Sequence, residues 1–154
     1  IETSVGKLGV LICWDQWYPE AARAMTLKGA ELLIYPTAIG WFDEDSSEEK
    51  KRQLESWITI QRSHAIANGI PVLSCNRVGF EADSAGVMSG TRFWGNSFVC
   101  GAQGEMLAHA DEQSETILYA DIEHERTKEV RDIWPFLRDR RIDAYECLLK
   151  RFCD

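Results

Sequence analysis

The first 35 residues alternate between strand and helix patterns, and this order restricts the fold more than any other feature of the chain. Residues 8–12 form an apolar run with the length of a buried strand. Residues 19–28 predict a helix, because a proline stands in the first turn and a glycine follows the last residue. Residues 31–35 are a second buried strand, closed by a proline. We therefore expect a parallel, right-handed βαβ unit, which places the chain in the α/β class.

The middle of the chain adds a long helix and a sheet-rich segment. Ser46 or Ser47 is the predicted N-cap of this helix, and the helical pattern continues as far as Asn68-Gly69. Further strand patterns cover residues 71–75, a hairpin at 97–109 and residues 116–121.

The C-terminal segment returns to a helical pattern from Glu123, with an interruption at Trp134-Pro135. The pattern then predicts an amphipathic helix whose apolar face carries Ile142, Tyr145, Leu148, Leu149 and Phe152. Such a face requires a cover, either from this core or from another subunit, so we expect a homo-oligomer.

The composition narrows the class of protein. With 154 residues, 45% of them hydrophobic, the chain can bury one core, and we expect residues 1–154 to belong to a single domain. Its apolar runs are far shorter than the ~20 residues of a membrane span. No leader pattern opens the chain, so we expect a cytoplasmic protein that does not associate with membranes. The formal charge of −8 argues against a nucleic-acid partner.

The five cysteines, at positions 13, 75, 100, 147 and 153, are dispersed and odd in number. This distribution predicts neither a disulfide framework nor a metal site, and it fits a reducing compartment. We interpret Cys75, Cys100, Cys147 and Cys153 as structural or incidental residues.

Cys13 differs from the other cysteines because it stands where the first predicted strand gives way to the first predicted helix. A thiol at that junction faces the positive end of a helix dipole, which favours the thiolate. A buried structural cysteine is the alternative. The three histidines, His64, His109 and His124, give no sign of proximity to Cys13, and we interpret them as ordinary helix or surface residues.

The string Cys13-Trp14-Asp15-Gln16-Trp17-Tyr18-Pro19-Glu20-Ala21-Ala22-Arg23 resembles the nucleophile segment of the nitrilase, or carbon-nitrogen hydrolase, superfamily, and most closely its N-carbamoylputrescine amidase branch. Further strings extend the resemblance over nearly the whole chain: Thr37-Ala38-Ile39-Gly40, Ala67-Asn68-Gly69-Ile70-Pro71, Asn76-Arg77-Val78-Gly79, Phe93-Trp94-Gly95-Asn96-Ser97 and Trp134-Pro135-Phe136-Leu137-Arg138-Asp139-Arg140-Arg141-Ile142. We expect Arg138, Arg140 and Arg141 to form ion pairs and interfaces rather than to act in catalysis.

The resemblance implies an α-β-β-α sandwich, of which this chain would supply the C-terminal half. It also implies that Cys13 attacks the ureido carbonyl of N-carbamoylputrescine, with neither a metal nor an organic cofactor. The glutamate base and the lysine of the superfamily precede the nucleophile. Glu2 and Lys7 are too close to Cys13 to fill those roles, and residue 1 is Ile rather than Met. We therefore expect an upstream half of the same domain to carry both residues.

The residues after Cys13 bear on the substrate. Relatives that hydrolyse N-carbamoyl amino acids place arginines where this chain has Gln16 and Trp17, so a carboxylate tail has no bidentate partner here. A cationic tail would instead meet the aromatic faces of Trp14 and Trp17, beside Asp15. The backbone N–H of Trp14 is the expected oxyanion donor.

A second set of candidates follows the second strand of the βαβ unit. Thr37 and Ala38 lie at the carboxyl end of that strand, on the same edge as Cys13 if the strands are parallel. Many branch members continue with Ser-Glu-Pro, whereas this chain continues with Trp41-Phe42-Asp43-Glu44-Asp45. Asp43 or Glu44 is a candidate partner for a substrate ammonium, and a solvated helix cap is the alternative.

Two other functions stay open at this stage. Another nitrilase-type amidase would share the nucleophile and differ in the pocket for the substrate tail. A non-catalytic fragment or scaffold is the second alternative, because the glutamate and lysine are not identifiable. A Cys-His amidotransferase does not fit, since no Gly-x-Cys-x-Gly motif surrounds Cys13.

Overall fold

The computed structural model describes residues 1–153 and contains the predicted βαβ unit. After a short strand β1 (Glu2–Thr3), strand β2 (Gly6–Val10) leads through a 3-10 turn (Cys13–Trp17) into helix α1 (Pro19–Leu27) and strand β3 (Leu32–Pro36). The register of β2 on β3 is parallel, as the sequence predicts.

The remaining elements, in chain order, are β4 (Gly40–Phe42), α2 (Ser47–Asn68), β5 (Val72–Cys75), β6 (Val78–Ala82), β7 (Gly90–Trp94), β8 (Phe98–Cys100), β9 (Met106–His109) and α3 (His124–Ile133). The predicted long helix, the strand after it and the hairpin near residue 100 are all confirmed.

Two sheets form the framework. The larger sheet has the order β1-β2-β3-β5-β8-β9, with parallel pairing of β2, β3 and β5. The smaller sheet has the order β4-β7-β6 and is antiparallel. Gly40 allows β4 and β7 to approach each other closely, because a Cβ at this position would collide with the carbonyl oxygen of Arg92.

The core lies between the large sheet and the helix pair α1 and α2. Leu33, Tyr35 and Phe98 project from the sheet into this layer and are fully buried, as is Trp57 of α2. The alternate residues of the strands, such as Leu73, belong to the opposite face and are only half-buried. The α/β class is therefore confirmed, with one face of the sheet covered by helices.

The signals at both ends of α2 operate as the sequence predicts. The Ser46 hydroxyl accepts a hydrogen bond from the Glu49 N–H at 3.2 Å, which caps the helix. At the other end Gly69 adopts a left-handed conformation, with φ of 53°.

Three predictions about the second half of the chain are wrong. Residues 116–121 form no strand. The tail forms two 3-10 turns, Ile142–Ala144 and Glu146–Leu149, instead of an amphipathic helix, and Leu149 is 90% exposed. Cys147 and Cys153 are joined by a disulfide, with their Cα atoms 5.8 Å apart. Residues six positions apart in an α-helix are separated by about 9 Å along the axis, so this disulfide is incompatible with a helical tail.

The long helix α2 is strongly polar, and among residues 1–153 no helix is both long and apolar enough to cross a bilayer.

Candidate functional site

Three parallel strands deliver the candidate residues to one edge of the large sheet. β2 leads into Cys13, β3 into Thr37 and β5 into Asn76. The Thr37 N–H donates to the carbonyl oxygen of Cys75 at 2.8 Å, so the ladder continues to the very end of the strands. Ligands bind outside the carboxyl ends of such strands, which makes this edge the candidate site.

Cys13 has an unusual backbone conformation for a residue with a side chain. Its φ is 52°, in the left-handed region, and it is the first residue of the 3-10 turn Cys13–Trp17. The thiol is free and half-buried. Such strain persists only where surrounding contacts hold it, and it concentrates at functional sites. Helix α1 begins only at Pro19, so the turn stands between the thiol and that helix.

Trp14, Asp15 and Trp17 follow Cys13 in the same turn. The Trp14 side chain is 62% exposed and meets the half-buried Trp17 ring edge-on, with 6.1 Å between ring centroids. The Trp14 N–H makes no hydrogen bond within residues 1–153, so it can serve as a donor. Asp15 closes the turn, because its carboxylate accepts from the Ile12 N–H at 2.9 Å.

Gln16 points into the protein and has no exposed surface. Its side-chain Nε2 lies 3.4 Å from the Thr37 hydroxyl, and its carbonyl oxygen lies 2.9 Å from Nε2 of His64. Gln16 therefore joins the turn of Cys13 to both β3 and α2.

The loop after β3 carries Thr37 and Ala38 and is fixed by Asn76. The Asn76 side chain accepts from the Ile39 N–H at 2.9 Å and donates to the carbonyl oxygens of Ile39 and Gly95, both at 3.0 Å. The motif that begins at Asn76 is visible in the sequence. The hydrogen bonds by which Asn76 holds the two loops are not, because they reach Ile39 and Gly95, which are distant in sequence.

The acidic candidates lie further along, after β4 of the small sheet. Asp43 forms an ion pair with Arg92, with 3.1 Å between Oδ1 and Nε. Glu44 accepts from the Ser89 hydroxyl at 2.8 Å. Both carboxylates are therefore held against residues in or beside β7.

His64 and Tyr35 lie beneath the turn, and sequence reasoning missed both. His64 is 1% exposed and Tyr35 is fully buried, with 6.1 Å between their ring centroids. Burial is the main cause that raises the pKa of the Tyr35 hydroxyl, and the charge of Asp15 adds to it. A signal for His64 was present, since Trp57, Gln61, His64 and Asn68 recur on one face of α2 and are all buried.

The remaining thiols differ from Cys13. Cys75 is exposed, and Cys100 is buried, which raises its pKa to about 12. Among residues 1–153 no group of three or more His, Cys, Asp or Glu side chains is placed to hold a metal ion. In the tail, Arg138 pairs with Asp139 and Arg141 with Asp143, as predicted, whereas Nε of Arg140 donates to the carbonyl oxygen of Leu137 at 3.1 Å.

Fold and site together define an α/β structure that presents a free cysteine at the carboxyl edge of parallel strands. The family model described as carbon-nitrogen hydrolase matches residues 1–132, and the chain belongs to that family. It is 44% identical over 149 residues to the N-carbamoylputrescine amidase of Arabidopsis thaliana, covering 96% of this chain and 49% of that protein.

Two further proteins extend the comparison. The citrullinase of Francisella tularensis is 40% identical over 151 residues, covering 98% of this chain and 51% of that protein. The crystal structure of a carbon-nitrogen hydrolase from Helicobacter pylori G27 superposes with a TM-score of 0.97 at 65% identity, covering 99% of this chain and 52% of that one. The chain spans about half the length of the curated relatives it matches.

Proposed function

We propose that this chain supplies the nucleophile of an enzyme that hydrolyses a linear carbon–nitrogen bond, with N-carbamoylputrescine as the substrate. The observation that carries the proposal is Cys13, a free thiol held at a φ of 52° at the carboxyl edge of the parallel strands. Its membership of the carbon-nitrogen hydrolase family supports the reaction class. The names of its relatives support a ureido substrate.

In the proposed reaction Cys13 Sγ attacks the ureido carbonyl carbon, and the bond to the putrescine nitrogen breaks after that nitrogen gains a proton. Water then cleaves the carbamoyl thioester, which regenerates the thiol and releases ammonia and carbon dioxide. The N–H of Trp14, which has no hydrogen-bond partner among residues 1–153, would bind the developing oxyanion. A ureido carbonyl is a poor electrophile, so oxyanion binding and protonation of the leaving amine must lower most of the barrier.

We propose that an upstream half of the same domain provides the glutamate base and the lysine. Glu2 and Lys7 pair with each other across the β1–β2 hairpin at 2.9 Å, which leaves neither directed to Cys13. The half-buried face of the large sheet, with Leu73 and Ile34, is the surface that the other half would cover. We further propose that the complete enzyme is a homo-oligomer.

The substrate tail is proposed to be cationic. Gln16 is buried and bonded within the protein, so it cannot grip a carboxylate. The exposed Trp14 ring instead offers an aromatic face to an ammonium group, and the half-buried Trp17 ring lies next to it. Thr37 and Ala38 would line the pocket, with Asp15, Asp43 or Glu44 as the source of negative charge.

A second candidate is the hydrolysis of citrulline or another linear amide, which the 40% identity to a citrullinase favours. Citrulline and N-carbamoylputrescine both carry a ureido group on an unbranched chain. They differ at the far end, where citrulline has an α-carboxylate in addition to its ammonium. The two candidates are therefore separated by the tail pocket alone.

The test compares kcat/KM for N-carbamoylputrescine, citrulline and an N-carbamoyl amino acid on the enzyme assembled with its upstream half. Because Gln16 and Trp17 stand where an arginine pair would hold a carboxylate, we expect N-carbamoylputrescine to be preferred by about 10²-fold or more. The N-carbamoyl amino acid is the matched control, since it presents the same ureido carbonyl. Equal values, or a preference for either acid, would overturn the substrate assignment and leave the reaction class standing.

A further inference from the structure

His64 is a buried titratable residue that the proposed reaction does not use. It lies on α2, is 1% exposed and contacts Gln16, which lies 48 positions away in the sequence. Burial lowers the pKa of His64 below its usual range, which favours the neutral ring. A neutral imidazole carries one N–H, so the position of that proton is set by its surroundings.

The contact with Gln16 fixes the tautomer. Nε2 of His64 lies 2.9 Å from the Gln16 carbonyl oxygen, and a carbonyl oxygen can only accept. Nε2 must therefore carry the proton. The Tyr35 ring is a neighbour of the imidazole, with 6.1 Å between ring centroids.

The partner of His64 belongs to the short turn that begins at Cys13. A 3-10 turn has poor hydrogen-bond geometry, and this one starts with a residue at a φ of 52°. The turn is held locally by Asp15 and weakly by the Gln16 side chain at 3.4 Å. The hydrogen bond from His64 is shorter and connects the turn to the longest helix of the protein.

We propose that His64 is a positioning residue whose Nε2–H, donated to the Gln16 carbonyl, holds the Cys13–Trp17 turn in the conformation that presents the nucleophile. The inference rests on the proposed role of Cys13, but it concerns the geometry of the turn and not the identity of the substrate. The hydrogen bond to the Gln16 carbonyl connects His64 to the turn, so its effect is transmitted through Gln16.

Gln61 provides a matched control for the loss of a buried polar group. It lies on the same face of α2 one turn earlier, has no exposed surface and donates to the Trp57 carbonyl within its own helix. A change at Gln61 therefore removes a hydrogen bond internal to α2 and leaves the hydrogen bond between His64 and Gln16 in place.

The experiment measures the iodoacetamide alkylation rate of Cys13 by peptide mass spectrometry in the full chain, beside its urea unfolding midpoint. The variants are His64→Leu, His64→Gln, His64→Asn and Gln61→Leu. The amide nitrogen of glutamine reaches the position of Nε2, whereas that of asparagine corresponds to Nδ1. We expect His64→Leu and His64→Asn to change the alkylation rate by about 10-fold or more, and His64→Gln to remain within about 3-fold of wild type.

If His64 only stabilised the fold, the loss of another buried polar group of α2 would change the Cys13 alkylation rate in the same way. We expect instead that Gln61→Leu lowers the unfolding midpoint without altering the Cys13 alkylation rate. A change in that rate as large as the change in His64→Leu would overturn the proposal. Failure of His64→Gln to restore the rate would also overturn it. Where His64→Leu does not fold, the pair of His64→Gln and His64→Asn makes the same comparison. Because alkylation requires no turnover, failure of this proposal is distinct from failure of the proposed substrate.

Discussion

Asn76 is a single side chain that ties two loops to the edge of the large sheet. It makes one hydrogen bond as acceptor and two as donor, and all three partners are backbone groups of Ile39 and Gly95. Its own N–H donates to the Ser97 hydroxyl at 2.9 Å. One half-buried amide therefore sets the position of the loop that carries Thr37 and Ala38.

Asn76→Ala should lower the free energy of unfolding by about 2–3 kcal/mol, because three backbone groups lose their partner in a partly buried place. Urea denaturation measures this change. Arg77→Ala is the control, since the neighbouring Arg77 side chain is exposed, pairs with Glu81 at the surface and lies 4.1 Å from the centroid of the Phe93 ring. Because an exposed ion pair and an exposed cation–π contact each contribute little, the variant should cost about 1 kcal/mol. Equal losses of unfolding free energy in the two variants would contradict the role of Asn76 in holding the two loops.

Helix α2 illustrates what local sequence signals determine at the scale of an element. Its cap at Ser46 and its left-handed Gly69 are short-range features, and both were predictable. The contact of His64 with Gln16 spans 48 positions, so no local pattern contains it.

Ser46→Ala should lower the free energy of unfolding by about 1 kcal/mol, because the Glu49 N–H loses its acceptor. Ser47→Ala, one position later and equally exposed, removes a hydroxyl that does not cap the helix. Chemical denaturation of both variants, with Ser46→Asp as a replacement cap, distinguishes the two positions. A loss in Ser47→Ala as large as that in Ser46→Ala would show that the cap contributes nothing.

At the scale of the whole molecule, prediction succeeded where elements pack on one another within the chain. The βαβ unit and the hairpin of β8 and β9 form part of the large sheet. Their strands therefore pair within the chain, as the strand patterns in the sequence predict. The tail has a helical period, but its apolar residues remain largely exposed, with Leu149 at 90%. The disulfide between Cys147 and Cys153 was missed because their spacing matches no framework that sequence alone identifies.

The position of the candidate site could be predicted from the sequence, but the residues that hold it in place could not. Cys13 is identified by the junction of strand and helix, and Thr37 by the end of the next parallel strand. The residues that hold them, Gln16, His64 and Asn76, act through contacts between distant segments. These contacts follow from the way that α2 and the loops pack against the sheet.

The chemical identity of the nucleophile is the central claim, and alkylation of the enzyme assembled with its upstream half tests it most directly. Residual activity is plotted against the fraction of iodoacetamide label at each free cysteine, read by peptide mass spectrometry. Cys75 is the internal control because it is exposed, and Cys100 should stay unlabelled because burial raises its pKa to about 12. We predict that activity falls in proportion to the label on Cys13, that Cys75→Ser behaves as the wild type, and that Cys13→Ala has no activity. Activity loss that follows Cys75, or turnover that survives in Cys13→Ala, would contradict the account.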